Sequence, residues 1–292
     1  MNLVVATSSW NTITVLEPFL RHVRRIGAVA AYVMEYGSTD GSAELIRSPE
    51  WRDFVHVVPF PGLDAPLTSD STMAMAKERH QDAFCLFCDP DEFICTSGES
   101  LQSVMERERW GDYSVVHLPR TNMTGDAADI PALQDGPFLD YLTLSIKRPH
   151  VRGTDEKVTG GDLKSPWIFT AIPSKVTVRL SDCIAMGHGD HNATTTSGKK
   201  LVSSLAWLQH YPIRGWAEFE EKVRNIALHL EQEVDGPDLG PFHCWHWRRW
   251  AAQLASGELR AEYERQFVGG DSLREYLADG TLVSSEHLAK SR

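Results

Sequence analysis

Short apolar runs alternate with helical patterns along the first ninety residues of the chain. Four continuous runs rich in β-branched and aromatic residues predict strands at 3–8, 29–36, 55–60 and 84–88. Helical patterns lie between them, at 14–27, 42–48 and 69–80. Regular alternation of strands and helices predicts an α/β fold with a mixed, mostly parallel sheet flanked by helices.

The first helical pattern carries its own boundary signals. Thr14 and Glu17 have the spacing of a capping box, which predicts that the helix begins at Thr14. Apolar residues recur at helical spacing from Val15 to Ile26, and Gly27 is a residue that commonly ends a helix. We therefore expect an amphipathic helix between the first two strands.

The chain changes character after the fourth strand. Residues 119–175 are less periodic and richer in Gly, Pro and Asp. Strand-like runs still occur at 113–119, 143–148 and 174–180. Beyond residue 200 the patterns are mostly helical, so we predict an α/β core over 1–200 and a helical C-terminal extension over 201–292 that packs on it.

Composition excludes several classes of function. The formal net charge of the 292-residue chain is −11 and no dense Lys/Arg cluster occurs, which argues against nucleic acid as a partner. The five cysteines, an odd number, do not suggest a disulfide framework. No apolar run approaches the roughly 18 residues of a membrane span, and no signal peptide is evident. The sequence therefore predicts a cytoplasmic protein without an integral membrane segment.

Acidic residues follow the fourth strand directly, in the stretch "CLFCDPDEFI" (85–94). Open α/β sheets bind ligands beyond the carboxyl ends of their strands, where Asp89 and Asp91 are expected. Close carboxylates repel each other unless a cation shares them, and Mg²⁺ or Mn²⁺ prefers such oxygen ligands. An isolated D-x-D pattern is common by chance, however, and alone it favours the polar end of a buried strand.

Two neighbouring features have alternative interpretations. The turn "GSTDGS" (37–42) follows the second strand and could bring backbone N–H groups to a phosphate or a base. It could equally be a tight turn that uses Gly and Asp for their turn chemistry. Cys85 and Cys88 lie in an apolar strand and are interpreted as packing residues, not as redox or zinc ligands.

Five motifs taken in order resemble glycosyltransferase family 2 and its relatives of the GT-A fold. They are "VVATSSWN", "YVMEYGSTDGSAELI", "FCLFCDPDEFI", "SKVTVRLSDCIAMGHGDH" and "LQHYPIRGWAEFEEKV", which lie within residues 3–225. The third motif is similar to the branch of this family whose metal motif is D-x-D-E-F. The resemblance implies a hexosyltransferase-type enzyme that moves a sugar from a nucleotide-diphosphate donor, such as a UDP-sugar, to an acceptor hydroxyl.

The resemblance also implies roles for individual residues. Ala6, Thr7 and Asn11 would lie along the nucleotide base. Glu35 stands where the family usually has an Asp for the base or ribose, and Asp40 matches a turn Asp that helps to hold the donor.

The same resemblance implies a site for Mn²⁺ or Mg²⁺. Asp89 would face the ribose and the metal, and Asp91 would be the main metal ligand. The segment "GHGDH" offers two candidates, His188 and His191, for the late metal-binding histidine.

Chemistry requires charge stabilisation and a base. Breaking a glycosyl–diphosphate bond builds negative charge on the leaving group, which a divalent ion stabilises as a Lewis acid. An inverting reaction also needs a base for the acceptor hydroxyl, and among several acids we favour Asp162 or Asp126, each next to a glycine.

Acceptor identity and two rival functions stay open at this point. The net charge favours a small soluble or carbohydrate acceptor. The alternatives are a nucleotidyltransferase, which "ATSSWNT" disfavours because it lacks a basic Gly-rich loop, and a non-catalytic nucleotide- or sugar-binding module.

Overall fold

The chain forms two compact units. The computed structural model describes residues 1–60, 69–134, 136–151, 165–232 and 245–285. The first unit comprises Met1–Arg120 and Pro173–His210, and the second comprises Thr121–Ile172 and Tyr211–Arg292. This division differs from the predicted boundary at residue 200, because the chain leaves the first unit at 120 and returns to it at 173.

Most predicted elements lie within a few residues of their expected positions. The strands are β1 (Leu3–Ser9), β2 (Ala30–Glu35), β3 (Val55–Val58), β4 (Phe84–Phe87), β5 (Glu92–Thr96), β6 (Val115–Leu118), β7 (Arg120–Thr124), β8 (Leu144–Ile146), β9 (Lys175–Arg179), β10 (Cys183–Met186), β11 (Ala193–Thr195), β12 (Lys200–Val202), β13 (Ala206–His210) and β14 (Leu282–Ser284). The α-helices are α1 (Ile13–Arg25), α2 (Ser42–Arg47), α3 (Asp70–His80), α4 (Leu101–Arg107), α5 (Ile130–Leu133), α6 (Phe138–Tyr141), α7 (Trp216–Gln232), α8 (Trp245–Ser256), α9 (Leu259–Glu264) and α10 (Gly270–Ala278).

A seven-stranded sheet forms the centre of the first unit, in the order β12-β6-β9-β4-β1-β2-β3. Strand β1 pairs in parallel with β2 and β4, and β2 pairs in parallel with β3. Only β9 runs the other way in this sheet, antiparallel to both β4 and β6. The predicted fold class, a mixed and mostly parallel sheet with helices packed on it, is confirmed.

Strand β4 is buried, as its unbroken apolar run predicts. Its four residues are all buried, and Cys85 packs in the apolar core with Val4 and Tyr32. Cys85 and Cys88 are free thiols whose pKa burial raises well above the usual range. Such thiols are poor nucleophiles and poor metal ligands, which agrees with the interpretation that neither cysteine is a redox or zinc ligand.

The start of helix α1 differs from the prediction. The helix begins at Ile13, and no side chain of the predicted Thr14–Glu17 capping box caps it. Its first N–H groups are capped from the loop after β2 instead: Ile13 N donates to Asp40 Oδ2 at 2.8 Å and Thr12 N donates to Ser42 Oγ at 3.1 Å. A tertiary contact therefore replaces the local cap.

His22 joins helix α1 to strand β5. Its Nε2 donates to the carbonyl of Ile94 at 2.8 Å, and its Nδ1 accepts a hydrogen bond from Arg25 at 3.0 Å. Burial lowers the pKa of His22 to about 4. The imidazole is therefore neutral at pH 7, and this contact holds β5 in place just after the acidic residues.

We expect His22 to make the protein less stable in mild acid. Between pH 6.5 and about 4 the unfolded chain binds a proton at this histidine that the folded chain does not, so stability falls as the pH falls. This linkage removes about 1–2 kcal/mol between pH 7 and pH 5. Urea unfolding at the two pH values should show a smaller difference for His22→Gln, which keeps a donor for Ile94, and an equal difference would contradict the assignment.

The second unit contains a small antiparallel sheet and a helical part. Strand β8 pairs with β7 on one side and with β14 on the other. Trp250 is almost fully buried, and its ring lies about 5 Å from those of Trp167, Phe219 and Trp247. Aromatic packing therefore organises this unit. Across both units, none of the helices in the described ranges is long and apolar enough to span a membrane.

Candidate active site

A topological switch point lies between β1 and β4. From β1 the chain moves through β2 to β3 on one side, and then returns to form β4 on the other side of β1. The connections that leave these two adjacent strands therefore diverge. In open α/β sheets such a point opens a crevice at the carboxyl ends of the strands, which is where ligands bind.

A cavity of about 470 Å³ lies at this point of the first unit. This volume is within the range of small-molecule sites, roughly 300–1,000 Å³. Its lining combines apolar and aromatic side chains with hydroxyl and carboxylate groups. The lining residues are Ala6, Thr7, Ser8, Met34, Tyr36, Ser69, Thr72, Phe87, Cys88, Asp89, Met186, Gly187, Gly189 and Asp190.

Three of the predicted donor-binding residues, Ala6, Thr7 and Asp89, line this cavity. The hydroxyl of Thr7 is buried and has no hydrogen-bond partner among the described residues. Tyr36 also lines the cavity and was not predicted as a site residue, although it is the last residue of the strand predicted at 29–36. Sequence analysis also missed Met186, for which the sequence carries no signal, because the chain brings it to the site by the β10–β11 hairpin.

Asn11 and Glu35 connect the loops after β1 and β2. Asn11 N donates to Ser38 Oγ at 3.0 Å, and Asn11 Oδ1 accepts from Thr39 N at 2.8 Å. Glu35 accepts a hydrogen bond from Ser38 N. These contacts shape the edge of the sheet beside the cavity, and direct contact of either residue with a nucleotide stays a prediction.

Asp40 has a clear structural role. Its Oδ2 accepts from Ile13 N, and its Oδ1 accepts from Ser42 N at 2.9 Å. These bonds lower the pKa of Asp40, although burial opposes them. One carboxylate therefore caps the N-terminal ends of α1 and α2 together, and its predicted contact with the donor is untested.

The three acids after β4 occupy different environments. Asp89 lies at the cavity and its side chain is 52% exposed. Asp91 is buried, and its Oδ1 lies 3.8 Å from His210 Nε2. Glu92 is fully buried, forms an ion pair with Arg120, and its other oxygen accepts from Asp89 N at 3.1 Å. Only Asp89 of the three lines the cavity.

Lys175 lies among the carboxylates of this region. Its Nζ is 3.1 Å from Asp89 Oδ2, 3.9 Å from Glu92 Oε2 and 4.0 Å from Asp190 Oδ2. It also donates to the carbonyl of Gly189 at 3.0 Å. We call these four acceptor oxygens and the ammonium between them the Lys175 cluster.

The positive charge of Lys175 and the negative charges of the carboxylates around it stabilise each other. Burial alone would lower the pKa of Lys175, but the surrounding carboxylates raise it above its usual range, so the ammonium is charged. Burial would raise the pKa of Asp89, but Lys175 lowers it. Burial raises the pKa of Glu92, while Lys175 and Arg120 act in the opposite direction.

The direction of β9 explains the position of Lys175. Because β9 is antiparallel to β4, its first residue lies at the edge where β4 ends. Cys85 pairs with Val178 and Leu86 with Thr177, so the register brings Lys175 next to the residues that follow β4. The sequence predicts a strand here, but it carries no signal that this strand runs backwards.

The predicted metal ligands include two histidines of the turn between β10 and β11, His188 and His191. Burial and the nearby Arg120 lower the pKa of His191 to about 4, and its Nδ1 donates to Ser174 O at 2.9 Å, which leaves Nε2 as an acceptor. The side chain of His188 lies outside the described residues. Within the described ranges, no three His, Cys, Asp or Glu side chains are placed to hold one metal ion. Asp89 Oδ2 is paired with Lys175 Nζ at 3.1 Å, whereas Asp91 Oδ1 lies 3.8 Å from His210 Nε2, so the two carboxylates as arranged do not face one shared ion. Binding of Mn²⁺ or Mg²⁺ stays a prediction for binding measurements.

Neither of the two candidate bases, Asp162 and Asp126, is among the described residues that line the cavity. Asp162 lies outside the described residues. Asp126 is in the second unit, where it is the N-cap of a short 3₁₀ helix, Ala127–Asp129. Its Oδ1 accepts a hydrogen bond from Ala128 N at 2.9 Å. A catalytic role for either acid stays a prediction.

Comparisons with known proteins give distant likenesses to solved structures. No family model and no curated protein sequence matches the chain. Among solved structures, S. aureus TarS 1-349 in complex with UDP-GlcNAc is 14% identical, with 89% of this chain and 72% of that chain covered and a TM-score of 0.42.

Two further structures are weaker matches. A putative glucose-1-phosphate thymidylyltransferase from Bacillus anthracis is 7% identical, with 44% and 56% of the two chains covered and a TM-score of 0.30. The galactosyltransferase LgtC, in complex with donor and acceptor sugar analogs, is 10% identical, with 61% and 58% covered and a TM-score of 0.29. Likenesses at these identities and TM-scores carry no inference about the activity of this chain.

Proposed function

We propose that this protein is a glycosyltransferase that moves a sugar from a nucleotide-diphosphate donor, with UDP as the favoured nucleotide, to an acceptor hydroxyl. The observation that carries the proposal is the cavity at the β1/β4 switch point. It contains Thr7 and Asp89 from two of the motifs that resemble glycosyltransferase family 2. Residues far apart in the sequence thus meet at the place where this fold class binds ligands.

The cavity suits a nucleoside better than a purely polar ligand. Tyr36, Phe87 and Met186 provide flat or adaptable apolar surface for a base. Thr7, Ser8 and Thr72 provide hydroxyl groups, and Asp89 provides a carboxylate that accepts hydrogen bonds from ribose hydroxyls. The proposed nucleoside therefore finds both stacking surface and hydrogen-bond partners.

The reaction that we propose is a substitution at the anomeric carbon of the donor sugar. The bond from this carbon to the diphosphate oxygen breaks, and its electron pair leaves with the nucleoside diphosphate. The acceptor oxygen forms the new bond from the opposite face, with inversion, and its proton passes to a base. The acceptor is proposed to be a small soluble molecule or a carbohydrate.

A thermal-shift panel of nucleotides and nucleotide sugars tests this proposal. Specific binding stabilises the folded state by about 2.7 kcal/mol at a ligand concentration of 100 Kd, so a bound donor gives a measurable rise in Tm. We expect UDP and one or more UDP-sugars to raise the Tm, whereas uridine alone raises it less. A chain that responds to no nucleotide diphosphate would contradict the proposal.

A nucleotidyltransferase would require a different sequence in the loop after β1. Such enzymes need a Gly-rich, basic loop there to hold a triphosphate. This loop, Trp10–Thr12, contains neither glycine nor a basic residue, and Asn11 is engaged with the loop after β2. Release of pyrophosphate from a nucleoside triphosphate and a sugar 1-phosphate would favour the alternative; donor hydrolysis to UDP favours glycosyl transfer.

A non-catalytic binding module would use the same cavity without chemistry. It would bind a UDP-sugar and leave it intact. Slow release of UDP from the bound donor, measured with catalytic amounts of protein, separates an enzyme from such a module.

A further inference from the structure

The Lys175 cluster raises the question of which cation its carboxylates share. Asp89 and Asp190 both line the cavity, and Glu92 lies directly behind Asp89. Three carboxylates this close repel one another unless positive charge lies between them. That repulsion is the physical reason to expect a divalent ion near an acidic motif.

In this structure the chain itself supplies the positive charge. The Nζ of Lys175 is within 4.0 Å of all three carboxylates and donates to Gly189 O. Its side chain is only 4% exposed, so the ammonium is held in place by protein and not by water. The Lys175–Glu92 pair is little screened by salt, because both side chains are buried, whereas Asp89 keeps contact with solvent at the cavity.

The neighbouring contacts fix the cluster from both sides. Arg120 forms an ion pair with Glu92 Oε1, the carboxylate oxygen that does not face Lys175. Its Nε donates to the carbonyl of Pro173 at 2.6 Å. Asp190 accepts a hydrogen bond from Ser69, which precedes helix α3. Lys175 therefore joins the turn after β4 to the turn between β10 and β11, and both turns form walls of the cavity.

We propose that Lys175 is the cation that Asp89, Glu92 and Asp190 share in place of a divalent metal, so that donor binding at this cavity needs no added metal ion. The second part rests on the proposed function. Lys175 acts here as a positioning residue: it holds Asp89 and the Gly189–Asp190 turn where the donor contacts them. No bond to Lys175 forms or breaks in the reaction.

The first test measures metal binding alone and does not depend on any nucleotide. Manganese titrations followed by electron paramagnetic resonance are made on the full chain and on Lys175→Met. We expect no Mn²⁺ bound at this cluster in the unaltered protein. Removal of the ammonium leaves oxygen ligands that suit a hydrated divalent ion, so we expect Lys175→Met to bind about one Mn²⁺.

The second test measures UDP affinity by calorimetry, with EDTA and with Mn²⁺. We expect the unaltered protein to bind UDP equally well in both, within about twofold. Lys175→Met should lose about tenfold or more in affinity with EDTA and recover with Mn²⁺, because the uncompensated carboxylates then repel the diphosphate. Lys77→Met is the matched control, since Lys77 Nζ donates to the Cys183 carbonyl at 3.1 Å, and it should stay independent of metal.

The possible outcomes distinguish the proposed role of Lys175 from the proposed function of the protein. One Mn²⁺ bound by the unaltered protein and lost in Asp89→Ala, or UDP binding that requires Mn²⁺, overturns the role of Lys175 while the proposed function stands. No UDP binding under either condition, together with no Mn²⁺ uptake, contradicts the proposed function and supports the shared ammonium. If Lys175→Met does not fold, the titrations of the unaltered protein still decide the question.

Discussion

Replacing Glu92 by alanine is expected to lower the free energy of unfolding by about 3–5 kcal/mol, the range for breaking one partner out of a buried ion pair. Glu92 is fully buried, and it pairs with Arg120, whose side chain is 7% exposed. Its removal leaves the guanidinium of Arg120 buried without its carboxylate. It also removes the acceptor for Asp89 N and one of the carboxylates around Lys175.

Urea unfolding at pH 7 measures this loss. Glu17→Ala is the matched control, since Glu17 forms an ion pair with Arg21 in which both side chains are largely exposed. Such a surface pair contributes about 0–1 kcal/mol. A loss below about 1 kcal/mol in Glu92→Ala, equal to that of the control, would show that the buried pair is not a stabilising element.

Replacing Asp89 by alanine is expected to weaken UDP binding about 10- to 100-fold. The resemblance to glycosyltransferase family 2 implies that this carboxylate faces the ribose, and the structure places Asp89 in the lining of the cavity. A hydrogen bond to a charged group contributes about 1.5–3 kcal/mol, which corresponds to this range of affinity. Because the side chain is half-exposed, the change should reduce stability far less than Glu92→Ala.

Calorimetry with UDP, supported by the thermal unfolding curve of each variant, checks this expectation. Asp82→Ala is the control, because Asp82 is an exposed acid shortly before β4 and does not line the cavity. UDP affinity unchanged in Asp89→Ala, with a normally folded protein, would remove Asp89 from the donor site.

The two predictions assign different roles to acidic residues that lie next to each other in the motif "DPDEF": donor binding to Asp89 and stability to Glu92. Asp89 lies at the cavity, Glu92 is a buried partner of two cations, and Asp91 faces His210. The resemblance to glycosyltransferase family 2 implies that Asp89 and Asp91 jointly face one metal ion. The observed division follows from the turn after β4 and from the immediate start of β5 at Glu92, which pairs with His210 of β13.

Sequence patterns were sufficient for the elements of the first ninety residues. Strands β1 to β4 are continuous apolar runs, and such runs predict buried parallel strands because both faces of the sheet are covered. Helices α1 to α3 follow from the patterns between them. The short strands β10, β11 and β12 carry no comparable pattern, since each has three or four residues and is only partly buried.

The capping of α1 shows why local signals can fail. Thr14 and Glu17 have suitable spacing, yet the helix begins one residue earlier and is capped by Asp40 and Ser42. A carboxylate 27 residues away satisfies Ile13 N because parallel pairing of β1 with β2 brings their following loops together. Pattern reasoning covers neighbours along the chain and cannot anticipate such a contact.

The sequence by itself determined the α/β class of the first unit, the burial of β4 and of Cys85 and Cys88, and the position of acidic residues just after that strand. These follow from local periodicity and from the cost of burying polar groups. Tertiary structure alone decided that β9 runs antiparallel and that Lys175 therefore lies among Asp89, Glu92 and Asp190. Strand direction depends on long-range pairing, which leaves no mark in the residues of the strand itself, so only the fold could place this charge at the site.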